Sequence, residues 1–167
     1  NGGYVSDWWG FAWMILAETP ANPTNTLIDI SLVGGQCLQH GLRSGHKPLL
    51  VVDNTFLGPI YQKPILHGAD LVVYSVTKYL AGHSDLVAGA VAGRSDLMAT
   101  VLKLRGLLGT QLDPHSCWLI SRSLETLSLR MERANESARI IAEYLRDHPQ
   151  VEDINYLGFL KPGSRRA

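Results

Sequence analysis

The chain has 167 residues, enough for one domain or a large part of one, and its 46% apolar and 18% charged residues fit a packed core and exclude a disordered chain. Fifteen basic residues balance fifteen acidic ones, which leaves no electrostatic footprint for nucleic acid or an anionic membrane surface. Two cysteines, Cys37 and Cys117, are too few for a disulfide framework and lack metal-ligand spacing, so the expectation is a reducing, cytoplasmic setting and no metal.

No apolar run reaches membrane-spanning length, and the start has neither a basic leader nor a cleavage site. The opening residues, through Trp8-Trp9-Gly10-Phe11, are aromatic and carry no cap, so a longer parent protein is expected. Residues 13–17 read as a buried strand that ends in the double-proline stretch Glu18-Thr19-Pro20-Ala21-Asn22-Pro23, which cannot be helix interior. Residues 29–40 have the spacing of an amphipathic helix, weakened by Gly34-Gly35, with a polar loop over 41–47. A second strand is predicted at 49–53, a short helix at 61–67, and further strands at 69–74 and 86–92. Ser95 is expected to cap a helix to about residue 105. Strands alternating with helices and apolar on both faces predict an α/β layered fold with a mostly parallel sheet between helices.

Strand signals then stop. Asp113-Pro114 starts a helical pattern that runs to about residue 146, too long for one ordinary helix, with a bend expected at 121–123. Residues 151–156 read as the first strand of another unit. The expected organisation is 1–112 as part of a large domain, 113–148 as connecting helices, and 149–167 as the start of an incomplete C-terminal domain.

The chemistry centres on Tyr74-Ser75-Val76-Thr77-Lys78-Tyr79 and, upstream, on Val51-Val52-Asp53-Asn54-Thr55. Lys78 follows an apolar strand, where α/β sheets gather ligands, and is expected to be buried there. Ser75 and Thr77 are two apart, so on an extended strand both hydroxyls face one side and suit a phosphate. Asp53 closes its own strand, and an acid at that point suits a cationic ring nitrogen. Thr55 would share its face. Lysine for a Schiff base, hydroxyls for phosphate and acid for a pyridinium together specify pyridoxal 5'-phosphate. Each residue alone also fits a solvated lysine or a capping aspartate. Asn22, at another strand end, fits either a cofactor contact or a satisfied turn. His83 reads as a turn histidine bonded to local backbone, and Glu18 as structural.

Several segments, in order, resemble the cystathionine gamma-synthase (Cys/Met metabolism) family of pyridoxal-phosphate enzymes, which includes methionine gamma-lyases. They are Glu18-Thr19-Pro20-Ala21-Asn22-Pro23-Thr24, Val51-Val52-Asp53-Asn54-Thr55-Phe56, the run from His67 to Tyr79, Gly82-His83-Ser84-Asp85, and Ser123-Leu124-Glu125-Thr126-Leu127-Ser128-Leu129-Arg130-Met131. The resemblance implies the large domain of an aspartate-aminotransferase-like fold (fold type I), followed by a long connecting helix. It implies that Lys78 forms the Schiff base, Asp53 pairs with the ring nitrogen, Ser75 and Thr77 bind phosphate, and Thr55 and Asn22 touch the ring. It further implies β- or γ-elimination or γ-replacement on cystathionine, methionine or O-acylhomoserine, in a homotetramer of active dimers without nucleic acid or membrane. A phosphate loop, a ring-stacking tyrosine and the arginine that grips the substrate carboxylate are not identifiable. The alternatives are therefore a truncated non-catalytic fragment, or an aminotransferase of the same fold.

Overall fold

Four strands carry the architecture in a computed structural model that describes residues 12–160: β1 (Met14–Glu18), β2 (Leu49–Asp53), β3 (Leu71–Ser75) and β4 (Gly89–Gly93), in the sheet order β1-β2-β3-β4. The aromatic opening and residues 161–167 of the expected C-terminal unit lie outside the described residues. β1, β2 and β3 run parallel, with Glu18 paired to Asp53 and Asp53 to Val73, while β4 is antiparallel with Gly89 opposite Ser75. Parallel pairing puts the carboxyl ends of the first three strands at one edge of the sheet, and the loops that leave them carry Asn22, Asp53 to Thr55, and Lys78. That edge is where open α/β sheets bind ligands.

Parallel strands need a crossover, and α1 (Ile30–Ser44) supplies the first. The Asp29 side chain caps it by accepting from Leu32 N–H at 2.9 Å. Ile30 and Cys37 of this helix pack with Leu50, Val52 and Ala69, and Ile15 and Val33 join them. Removing most of one such side chain costs ~2–5 kcal/mol. Gly34, which weakens helix propensity, is buried because a Cβ there would sit 3.3 Å from the Gly68 backbone, so its smallness permits the close approach. The helix runs on through the expected polar loop at 41–47 and ends at Gly45, whose φ of 77° makes the left-handed cap.

The expected helix at 61–67 is split into α2 (Gly58–Tyr61) and a 3-10 turn over Pro64–His67. Pro64, without an amide hydrogen, cannot continue the first helix. After β4 come α3 (Ser95–Leu108), α4 (Pro114–Leu124) and α5 (Leu127–Arg146). Asp113 caps α4, accepting from Ser116 N–H at 3.0 Å. The break in the long helical run falls at Glu125 and Thr126, just past the expected bend. Residues 151–156 form no strand, because no described strand lies beside them to share a ladder. No described helix is long and apolar enough to cross a membrane.

The expectation of strands buried on both faces fails at β1. Met14 is 57% and Leu16 66% exposed, since the described helices bury only the opposite side of that strand. At the amino end of the sheet, Asp70 is saturated. Lys47 Nζ donates to both its oxygens at 2.7 and 2.8 Å, Leu50 N–H donates at 2.9 Å, and Arg94 Nη1 at 3.2 Å. Burial pushes the Asp70 carboxyl up, but the bonds from Lys47, Leu50 and Arg94 together outweigh it and hold the carboxyl below its ordinary value.

Candidate active site

Asp53 closes β2 half-buried. Its Oδ1 accepts from Thr55 N–H at 2.9 Å and from the Thr55 hydroxyl at 2.6 Å, an Asx-type turn that bends the chain off the strand. The buried Thr55 hydroxyl in turn accepts from Ser75 N–H at 2.8 Å. A continuous chain of hydrogen bonds thus ties the end of β2 to the end of β3. Asp53 Oδ2 has no hydrogen-bond partner and no cation among the described residues.

Beyond Ser75 the strand gives way to a turn over 76–81, held by Lys78 N–H to Ser75 O at 3.1 Å, Ala81 N–H to Val76 O at 2.9 Å and Gly82 N–H to Lys78 O at 2.8 Å. Val76, Leu80 and Ala81 sink into an apolar cluster with Leu86, backed by Leu119 and Ile120 of α4. Anchoring those residues inward turns Lys78 outward. Lys78 is exposed, contrary to the expected burial, and its amine has no partner among the described residues. It lines a cleft of about 990 Å³ with Asn22, Phe56, Thr77 and Asp85.

The structure therefore brings the sequence-derived residues together in two adjoining sets. Asn22, Thr77 and Lys78 stand on the cleft wall; Asp53, Thr55 and Ser75 form the hydrogen-bonded chain at the strand ends, and Ser75 belongs to both through the Lys78 amide. Thr77 is not on extended backbone as expected, because β3 stops at Ser75. Its hydroxyl accepts from Ala88 N–H at 3.0 Å and donates to Ala88 O at 3.3 Å, which closes the loop between β3 and β4. The Ser75 hydroxyl, by contrast, has no partner among the described residues. Glu18 steadies the proline loop, its Oε2 accepting from Asn22 N–H at 3.2 Å.

Sequence reasoning passed over Asn54, which is 0% exposed. Its Nδ2 donates to Gly58 O at 3.0 Å and Gln62 O at 2.9 Å, and its Oδ1 accepts from Gln62 Nε2, which also reaches Thr19 O at 2.9 Å. That pair locks the loops leaving β1 and β2 to each other. An asparagine directly after a strand-ending aspartate was the available signal. Phe56 and Asp85 lie within the family motifs, and the fold brings both to the cleft. His83 behaves as a turn histidine, its Nδ1 lying 2.5 Å from Ala81 O and 3.3 Å from Ser123 Oγ. The described residues contain no group of three or more His, Cys, Asp or Glu placed to hold a metal ion.

An uncommitted amine and hydroxyl, and a carboxylate with one uncommitted oxygen, at adjoining strand ends can hold a group that is carbonyl, anion and cationic ring at once. Comparison with known proteins identifies the family. The chain is 45% identical over 148 residues to an L-methionine gamma-lyase of Pseudomonas deceptionensis, covering 87% of this chain and 36% of that protein. It is 40% identical over 146 residues to a probable cystathionine gamma-synthase of Herpetosiphon aurantiacus, of which it covers 44%. Among solved structures, it superposes on a cystathionine gamma-lyase from Micromonospora echinospora with a TM-score of 0.79 at 38% identity, covering 87% of this chain and 37% of the other. The chain thus spans less than half the length of these relatives. The family described as Cys/Met metabolism PLP-dependent enzyme matches residues 12–163, and the chain belongs to that family.

Proposed function

We propose that this chain carries the cofactor-binding part of a pyridoxal-phosphate enzyme of sulfur amino acid metabolism, a lyase or transferase acting on cystathionine, methionine or O-acylhomoserine by elimination or γ-replacement. The observation that carries it is the pairing of a Lys78 amine without a partner among the described residues, in a cleft, with a half-saturated Asp53 carboxylate, joined through Thr55 and Ser75. When bound, the cofactor supplies an electron sink for charge that develops at the amino acid's α-carbon.

The residues fit that group. Lys78 would hold it covalently through the ε-amine and, once displaced by the substrate's amine, move a proton to and from the α-carbon. Asp53, oriented through Oδ1 by Thr55, would turn Oδ2 to the ring nitrogen and keep its proton in place. The free Ser75 hydroxyl would donate to the phosphate, joined by Thr77 if its hydroxyl hydrogen swings away from Ala88 O. Asn22 would contact the ring's edge, and Thr55 would steady the acid as well as touch the ring. As wider expectations, residues 1–112 would belong to the large domain, 113–148 would connect, and 149–167 would open a C-terminal domain. The enzyme would be a cytoplasmic homotetramer of active dimers, consistent with the exposed Trp118, Leu107 and Tyr144.

The test is borohydride reduction of the full-length protein with cofactor, followed by peptide mass analysis. Cofactor mass should be locked on the peptide containing Lys78, and Lys78→Ala should lose both it and the yellow absorbance; an unchanged spectrum would refute the assignment. Parallel product analysis with methionine, cystathionine and O-acetylhomoserine separates lyase from replacement chemistry. A second reading, a non-catalytic module when this chain stands alone, is favoured by the cleft lining, which includes no arginine for a substrate carboxylate. Keto acid or thiol release by the 167-residue chain itself would overturn that second reading.

A further inference from the structure

Arg130, in the first turn of α5, lies 52 positions from Lys78 and reaches the loop directly behind it. Its Nη1 donates to Tyr79 O at 2.7 Å and its Nη2 to Leu80 O at 3.2 Å. The same Nη2 donates to Ser123 O at 2.8 Å, and Nε donates to Thr126 Oγ1 at 3.1 Å. Four of the five guanidinium donors are thereby engaged, every one on an uncharged oxygen, and no ion pair with a carboxylate forms among the described residues. An arginine used in this way acts through its rigid planar fork rather than through its charge.

Two further features exist to admit that fork. At the break between α4 and α5 the Ser123 carbonyl takes a 3-10-type bond from Thr126 N–H at 3.3 Å in place of a regular α-helical one, and the guanidinium joins it there. Gly82, at a φ of 69°, leaves room that a Cβ would take, since a Cβ there would run into the Arg130 guanidinium. The turn that presents Lys78 is therefore fixed from three sides: Ser75 O before it, the Val76, Leu80 and Ala81 apolar anchor beneath it, and the Arg130 fork after it. The first two hold the turn's shape. The apolar anchor also ties the turn to α4 through Leu119 and Ile120, and the fork adds a tie to the α4–α5 break.

We propose that Arg130 is the positioning residue for Lys78: by gripping the carbonyls of Tyr79 and Leu80 against the α4–α5 break, it sets where the lysine amine meets the cofactor. The inference rests on the reading of Lys78 as the covalent anchor. Arg130→Lys keeps the charge but loses the fork, and Arg130→Gln keeps two donors without charge. Both are made in the full-length protein alongside Lys78→Ala.

In the cofactor-free variants, amide hydrogen exchange on the peptide covering residues 76–84 should rise at least tenfold, while peptides of β1 and β2 stay as in the parent. With cofactor, kcat should fall about 10–100-fold with KM changed less than threefold, because a small misplacement of the amine acts on the chemical step. The pH midpoint of the cofactor's absorbance band should shift as well. Exchange and spectral midpoint both unchanged in a folded variant would overturn the proposal, as would a uniform rise in exchange across all peptides. Should Arg130→Lys not fold, Arg130→Gln carries the same test: the local pattern must appear in that variant, and a parental pattern there overturns the proposal. If borohydride trapping survives Lys78→Ala, the reading of Lys78 itself falls; if it is lost there but Arg130 variants behave as parent, only the role of Arg130 falls.

Discussion

Two carboxylates at opposite ends of the same sheet meet opposite fates. Asp70, at the amino end, accepts from Lys47 with both oxygens, and from Leu50 N–H and Arg94 as well; its side chain is 4% exposed. Asp53, at the carboxyl end, is fed only by the neutral donors of Thr55 through one oxygen. Saturation with cations leaves an acid nothing to offer a ligand, so Asp70 is a rivet that pins β2 to β3 and β4. Half-saturation by neutral donors fixes an acid's direction while leaving its charge to be used. The contrast teaches that the partners of a carboxylate, more than its burial, mark it as structural or chemical.

The contrast is sharpest under exchange of each acid for its amide in the full-length protein. Asp53→Asn should lower kcat by about 10²–10³-fold, the scale of losing one preorganised electrostatic partner, with the urea midpoint little changed. Steady-state kinetics beside denaturation decide it, and an unfolded Asp53→Asn protein would break the comparison. Asp70→Asn should behave conversely, costing about 2–4 kcal/mol of stability because Lys47 and Arg94 lose their shared partner, while cofactor absorbance persists at low denaturant. Loss of that absorbance in a protein that still melts cooperatively would show that the amino end also serves the site.

Thr55→Val keeps the shape of the side chain but leaves Ser75 N–H without an acceptor and leaves Asp53 Oδ1 held by the residue-55 N–H alone. The expected cost is about 1–3 kcal/mol in urea, together with weaker cofactor affinity by titration. Retained affinity would mean that Asp53 needs no orienting hydroxyl. The smallest effect concerns acid. Asp70 has a folded-state pKa below its unfolded value of about 3.9, so its contribution is complete above roughly pH 4 and is lost as pH falls through the folded value. The stability gap between parent and Asp70→Asn should accordingly narrow from pH 7 to pH 3, and a gap that widens would assign the effect to another group.

Much of this was legible in one dimension. The apolar runs at 49–53 and 69–74 announce strands because a buried parallel strand needs apolar residues on consecutive positions, and the run at 13–17 announces one too although Met14 and Leu16 of β1 are exposed. Asp113-Pro114 announces a helix start through local chemistry alone. Lys78 and Asp53 stood out because each follows such a run. Arg130, Asn54 and Gln62 did not, since their importance lies in carbonyls and amides supplied by distant turns. Nor could the reach of α1 be read, because Gly41 and Gly45 look alike as letters and only one adopts the left-handed cap.

The sequence by itself determined the strand and helix alternation, the family and the amine and acid proposed for the site, since these rest on local residue type and spacing. Only the tertiary structure decided that Lys78 faces outward into a cleft, that Thr55 serves Asp53 and Ser75 together, and that Arg130 clasps the lysine turn. Those outcomes depend on hydrogen bonds between residues remote along the chain, whose partners are fixed only when strand order and helix packing bring them within reach.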